Sequence, residues 1–137
     1  MKTTIKKLFV FIIVIAMLSF AINAAIPESI SPYWVNTRRV AISHVYDYGT
    51  ALCFVEIKGL DDVDSIQNVD IIYSVDIDGE WVELASWEDL SVTGNLFRFE
   101  SSVPNVELSY TYRLSFTADV HRNGTIEWLN QYYDNTY

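Results

Sequence analysis

The sequence predicts an all-β fold, two antiparallel sheets packed as a sandwich of about seven strands, and three observations carry that prediction. Leu108, Tyr110, Tyr112, Leu114, Phe116, Ala118 and Val120 alternate without a break with Ser109, Thr111, Arg113, Ser115, Thr117 and Asp119. At about 100° per residue a helix would scatter those apolar side chains around its circumference, so only a strand gives them one dry face. Asp78-Gly79 and Asn123-Gly124 each lie between alternating runs, the signature of a two-residue hairpin whose central residues both need positive φ. No helical period follows residue 25, and Cys53 is the only cysteine, so packing rather than an internal disulfide has to hold the domain together.

The chain starts differently. Lys2, Lys6 and Lys7 precede an apolar run from Leu8 to Ile22 broken only by Ser19, and Ala24 and Ala25 follow. This reads as a helical secretory signal peptide over residues 1–25, cut after Ala24 or Ala25. Its apolar core is short for a membrane span, and no basic residue follows closely to stop transfer. Cleavage after Ala25 of the 137-residue chain leaves 112 residues, one domain's worth, and removes three lysines so that the net charge moves from −9 to −12. So acidic a surface repels nucleic acid and anionic membrane, which excludes both as partners. Cys53 lies too far downstream to carry a lipid anchor and reads as a small buried thiol. No wall-sorting tail is visible, so a secreted, freely released monomer is expected.

After the leader the chain divides into an extended lead-in over residues 26–36, a sandwich over 37–133 and a tail over 134–137. The lead-in contains Pro27 and Pro32, and its Tyr33 and Trp34 are placed to fold back over one end of the core. Strands are expected over Thr37–Tyr46, closed by the turn residues Asp47-Tyr48-Gly49-Thr50, and over Ala51–Lys58, the latter buried on both faces in its first half. A solvated acidic loop, Gly59–Asn68, leads to a strand over Val69–Ile77. The Asp78-Gly79 turn then pairs Ile77 with Glu80, placing Val75 opposite Val82 and Tyr73 opposite Leu84 on the core face, with Asp76 opposite Trp81 and Asp70 opposite Trp87 on the other. Leu96–Glu100 is a weaker strand and Ser101–Val106, with Pro104, a loop. The Asn123-Gly124 turn pairs Arg122 with Thr125, so that Ala118 faces Leu129 inside and Asp119 faces Trp128 outside.

The run Tyr112-Arg113-Leu114-Ser115-Phe116-Thr117-Ala118 resembles the sixth strand of immunoglobulin and fibronectin type III domains, in which a tyrosine hydroxyl bonds back to the preceding corner. The resemblance implies that role for Tyr112, or failing that Tyr110, and implies that both hairpins share one sheet with their long strands adjacent. The whole chain is also similar to a family of small uncharacterised secreted proteins of Gram-positive bacteria. The similarity rests on the leader, on Ile30-Ser31-Pro32-Tyr33-Trp34, and on a terminal hairpin where Val120-His121-Arg122-Asn123-Gly124 stands for the family's Tyr-x-x-Asn-Gly. It implies a sandwich fold and no established activity, and the acidic loops set this member apart.

Trp81, Trp87 and Trp128, beside Asp70, Asp76 and Asp119, are therefore expected on one wet face. Indole planes stack on the apolar faces of sugar rings while carboxylates accept hydroxyl hydrogen bonds, so these six residues are the candidate ligand-binding set. The competing reading is that the tryptophans merely shield strand backbone or lie under Tyr132, Tyr133 and Tyr137. Asp61, Asp62 and Asp64, and the segment Asp76-Ile77-Asp78-Gly79-Glu80, superficially suggest calcium, but the glycine spacing is wrong for an EF-hand and no metal site or cofactor is expected. His44, His121 and Cys53 fall in no nucleophile or zinc spacing, so no catalytic residue and no enzyme is expected. What remains is non-catalytic binding of an extracellular ligand. A glycan would use the tryptophan face; a protein would use an unprotected edge strand or a contiguous apolar patch.

Overall fold

The computed structural model describes residues 28, 29, 31 and 33–137. The expected leader lies outside these residues, as does most of the lead-in. Eight strands follow in order: β1 (Glu28–Ser29), β2 (Thr37–Asp47), β3 (Thr50–Gly59), β4 (Ser65–Ile77), β5 (Glu80–Thr93), β6 (Leu96–Pro104), β7 (Thr111–Arg122) and β8 (Thr125–Thr136). No helix occurs among the described residues. Two four-stranded antiparallel sheets result, ordered β1-β2-β3-β6 and β5-β4-β7-β8, the first containing the two-residue β1 as an edge fragment. Both tight hairpins share the second sheet, and their long strands β4 and β7 are adjacent.

Period-two patterning builds the core between the layers. From one sheet come Val40, Ile42, Ala51, Cys53, Val55, Ile57, Phe97 and Val103, and from the other Ile66, Val69, Ile71, Tyr73, Val75, Tyr112, Leu114, Phe116, Ala118, Val120 and Leu129. Trp34 and Trp87 pack against its margins. Tyr48-Gly49, Asp78-Gly79 and Asn123-Gly124 all have positive φ at both positions, so each closes its hairpin with a type I′ turn whose twist matches the strands. Beyond Asn123-Gly124 the register runs as expected, Arg122 opposite Thr125, Ala118 opposite Leu129 and Asp119 opposite Trp128.

Several boundaries differ from the sequence reading. β7 starts at Thr111, and Leu108 and Tyr110 are exposed in the preceding turn, because Asn105 and Ser109 adopt positive φ and interrupt the alternation. β6 continues through Pro104, tolerable because β6 is an edge strand with one set of N–H groups facing away from its neighbour. The second face of β3 buries Glu56, in its second half, rather than the apolar residues of its first. β8 runs to Thr136, so residues given to a tail continue the last strand.

The sides of the sandwich are closed unequally. Along β2 and β8, the Glu127 carboxylate accepts hydrogen bonds from Val35 N (2.6 Å), Asn36 N (3.2 Å) and the Thr37 hydroxyl (2.6 Å), while Asn36 Nδ2 donates to the Val120 carbonyl (3.0 Å). These bonds satisfy the backbone of the chain as it enters β2 and tie it to the opposite sheet. At one end, Tyr112 is buried and its hydroxyl both donates to the Glu107 carbonyl (2.9 Å) and accepts from Glu107 N (3.0 Å). Tyr112→Phe strands both backbone groups, and should lower stability by about 1–2 kcal/mol, read as a fall in the urea midpoint at unchanged slope; Tyr110→Phe, at an exposed position, should leave the midpoint in place.

Candidate functional site

The six residues expected to share a recognition face do not do so. The first five residues of β5 keep the register set by the turn, Ile77 opposite Glu80, Asp76 opposite Trp81, Val75 opposite Val82 and Ser74 opposite Glu83. Between Ser74 and Tyr73 the ladder slips, so that Tyr73 faces Ala85 rather than Leu84 and Ile71 faces Trp87. One extra residue reverses the phase of everything after it. Trp87 is thereby turned inward, where its ring packs edge-on against Phe99 at 4.9 Å, and it belongs to the core rather than the wet face.

Trp81 and Trp128 remain on the outer face of the second sheet but at opposite ends of it, each next to its own turn. Val75 pairs with Tyr112, so the Trp81 row meets β7 at Thr111, whereas the Trp128 row meets it at Asp119. Eight residues of β7 at about 3.3 Å each put the rows about 26 Å apart. The carboxylates are already engaged: Asp70 accepts from Asp89 N (2.9 Å) at a second slip of the ladder, Asp76 from Gly79 N (2.8 Å) in the turn, and Asp119 from Asn68 Nδ2 (2.8 Å). Near the Trp81 end, the Arg113 guanidinium lies 4.1 Å from the ring centroids of both Trp81 and Tyr132 and is held by Asp134 at 2.7 and 2.8 Å. Those bonds to Asp134 raise the pKa of Arg113 further, and its cation covers one face of each ring. Arg113, Tyr132 and Asp134 were not singled out from the sequence, although counting on from Asn123-Gly124 places Arg113 opposite Asp134 and Ser115 opposite Tyr132.

The acidic loop is answered by arginines rather than arranged around a cation. Asp61 pairs with Arg38 (3.3 Å), Asp62 with Arg122 (2.7 Å) and Asn123 Nδ2 (3.2 Å), and Asp64 accepts from Asn123 N (2.8 Å). The hydrogen bond from Arg122 is the main influence lowering the pKa of Asp62. Among the described residues no three acidic, histidine or cysteine side chains gather into a metal-binding group.

The remaining titratable groups of chemical interest are buried together. His44 is enclosed by the rings of Tyr73, Tyr133 and Tyr137 at centroid distances of 5.3, 5.4 and 5.5 Å. Its Nε2 meets the Tyr133 carbonyl at 3.2 Å, an acceptor only, so Nε2 carries the proton and Nδ1 accepts from the Tyr137 hydroxyl. Burial lowers the imidazole from 6.5 to about 4. Burial likewise pushes the Cys53 thiol up to about 12, leaving no thiolate at neutral pH. Tyr73 is raised too, by burial and then by the Tyr137 hydroxyl beside it, and its own hydroxyl makes no well-formed hydrogen bond.

The surface with an open geometry lies on the other side of the molecule, where β5 and β6, both terminal in their sheets, face each other. Leu84, Ala85, Ser102, Val103, Pro104 and Asn105 line a cleft of about 350 Å³ between them. Val82, which points to the core side of its sheet, is 46% exposed and Leu84 45%, because β6 does not extend over them. Sequence patterning assigned both to the core face. Alternation names the face of a sheet and carries no information on whether the opposite sheet reaches far enough to cover it.

Two predictions follow from these placements. Trp87→Ala should destabilise the fold by about 3 kcal/mol, the usual cost of emptying an aromatic site in the core, whereas Trp128→Ala, at a 63% exposed position, should leave the thermal midpoint unchanged; both are read by urea and thermal unfolding. His44, neutral in the fold until about pH 4 and protonated in the unfolded chain below 6.5, makes stability fall as pH drops through that window, by up to about 3 kcal/mol. His44→Gln should abolish that part of the slope, seen by comparing unfolding of the two proteins at pH 7 and 4.5.

No family model matches the chain, and no curated protein matches it. Among solved structures, the chain is similar to the crystal structure of Spo0M, the sporulation control protein from Bacillus subtilis, with a TM-score of 0.43 and 14% sequence identity over 74% of this chain. The chain spans about half, 48%, of the length of that protein.

Proposed function

We propose that this chain is an exported immunoglobulin or fibronectin type III-like sandwich of the small secreted Gram-positive family, a monomer that binds another protein outside the cell and does no chemistry. The fold assignment is supported by the strand order, β2-β3-β6 against β5-β4-β7-β8, and by the Tyr112 hydroxyl returning to the corner at Glu107, the hallmark of those domains' sixth strand. Export is supported by the basic and apolar leader. The observation that carries protein binding is the open side of the sandwich: a fourteen-residue edge strand beside an apolar cleft, with Val82 and Leu84 exposed.

Protein partners use such edges, because unpaired backbone supplies affinity and flanking pockets supply selectivity. The glycan alternative has less support. Flat sugar-binding platforms need bare, neighbouring indoles, and here one tryptophan packs on Phe99 and another lies against Arg113. Absence of chemistry is in keeping with His44 held neutral and Cys53 held protonated by burial.

The test is a photo-crosslinking amino acid placed at position 84, and separately at position 128, in the chain expressed by its source cell. Light should give a protein adduct from position 84 alone, on a chain whose mass lacks the leader. Adducts with polysaccharide, equal adducts from both positions, or retention of residues 1–25 would each overturn the part of the reading they address.

A further inference from the structure

We propose that the open side takes an extended cationic segment of the partner as an additional strand along β5, its apolar side chains entering the cleft and its basic ones meeting the acids of that edge. This rests on the protein-binding reading above and specifies the chemistry of the partner.

The backbone geometry comes first. The Asp78-Gly79 turn makes Ile77 and Glu80 a hydrogen-bonded closing pair, and alternation along an antiparallel ladder makes Val75 and Val82 the next. Trp81 and Glu83 therefore direct N–H and C=O away from β4, and β5 has no neighbour on that side. Four backbone groups at a spacing of two residues are what an incoming strand pairs with. The usual blunting of an edge by lysine or proline is missing from β5, which contains neither. Its protection is the slip after Glu83, which limits the straight landing segment to Glu80–Glu83.

Side-chain chemistry then selects the occupant. An added strand turns alternate residues inward over Val82, Leu84, Val103 and Pro104, a lining that rewards aliphatic groups. Its other residues lie beside Trp81 and Glu83. β5 carries Glu80, Glu83, Glu88 and Asp89 and no basic residue. The molecule's cations are used elsewhere: Arg38 pairs with Asp61, Arg39 and Arg98 with Glu56, Arg113 with Asp134, Arg122 with Asp62, and Lys58 bonds to Asn95. A second copy of this chain, edge to edge, would set these acids against one another, and like charges directly opposite repel. A strand alternating lysine or arginine with aliphatic residues satisfies edge, cleft and charge together.

The experiment uses the ¹⁵N-labelled protein and three blocked pentapeptides: Lys-Val-Lys-Val-Lys, its Glu-Val-Glu-Val-Glu counterpart, and the first peptide with alternate amides N-methylated. The basic peptide should slow amide exchange at Trp81 and Glu83 and shift Val82, Leu84 and Val103. The acidic peptide, the methylated peptide and the Glu83→Lys variant should each weaken binding about tenfold or more, and Glu83→Gln should fall between. Equal binding of acidic and basic peptides overturns the charge selection. Equal binding of the methylated peptide, or shifts centred on Trp128 and Tyr132, overturns strand addition. Failure of all three peptides while position 84 still crosslinks to protein overturns this inference alone, whereas loss of that crosslink removes the underlying reading.

Discussion

The phase of β5 governs both what the core contains and what the surface offers. A strand's side chains alternate between faces, so a hairpin turn assigns every residue that follows it to one side. Asp78-Gly79 makes that assignment, and it holds from Glu80 to Glu83. The one-residue slip beside Leu84 then inverts it, carrying Ala85, Trp87, Leu90 and Val92 inward to pack on the core. Without that residue the second half of β5 would expose an indole and two aliphatic side chains, and the core would lose the ring that meets Phe99. The same irregularity leaves the first half of β5 straight and uncovered. One bulge thus joins a packing solution to an open edge, consistent with such features being placed rather than accidental.

The two sides of the sandwich are treated oppositely. Where β2 passes β8, Glu127 and Asn36 satisfy the backbone of the incoming chain and lock one sheet to the other. Where β6 passes β5, nothing comparable joins the layers among the described residues, and the cleft remains. A small domain without a disulfide depends on such polar closures, because its core alone supplies limited stability. Tyr112 at the corner and Tyr137, whose hydroxyl meets His44 and whose backbone bonds to Ser109 and Tyr110, close the remaining end.

Buried polar groups are matched rather than avoided. Glu56, almost fully enclosed on the outer face of β3, is held by Arg39 (2.6 Å) and by Arg98 (2.5 Å). A carboxylate so placed is costly unless paired, and its two arginines come from the strands on either side, so it also fixes how β2, β3 and β6 align. His44 meets a carbonyl and a hydroxyl in a ring-lined site, and remains neutral because charging it there would go uncompensated. The acidic excess of the chain is thus spent partly inside, on Glu56 and Glu127, and partly along β5, where no arginine answers it.

The sequence by itself determined the strands, their inward faces and the local register at each glycine turn, because period-two alternation and the positive φ of Asp-Gly and Asn-Gly are properties of adjacent residues. From them came the pairing of Ala118 with Leu129, the adjacency of β4 and β7 and the corner tyrosine. Tertiary structure alone decided the slip at Leu84, the inward turn of Trp87, the 26 Å between the rows of Trp81 and Trp128, and the engagement of Asp61, Asp62 and Asp64 by distant groups. A bulge is set by which of two packings fills the space between sheets, and an ion pair by which loops come to lie together. Whether Val82 and Leu84 are covered depends on how far β6 reaches across them, a distance between layers that no local pattern encodes.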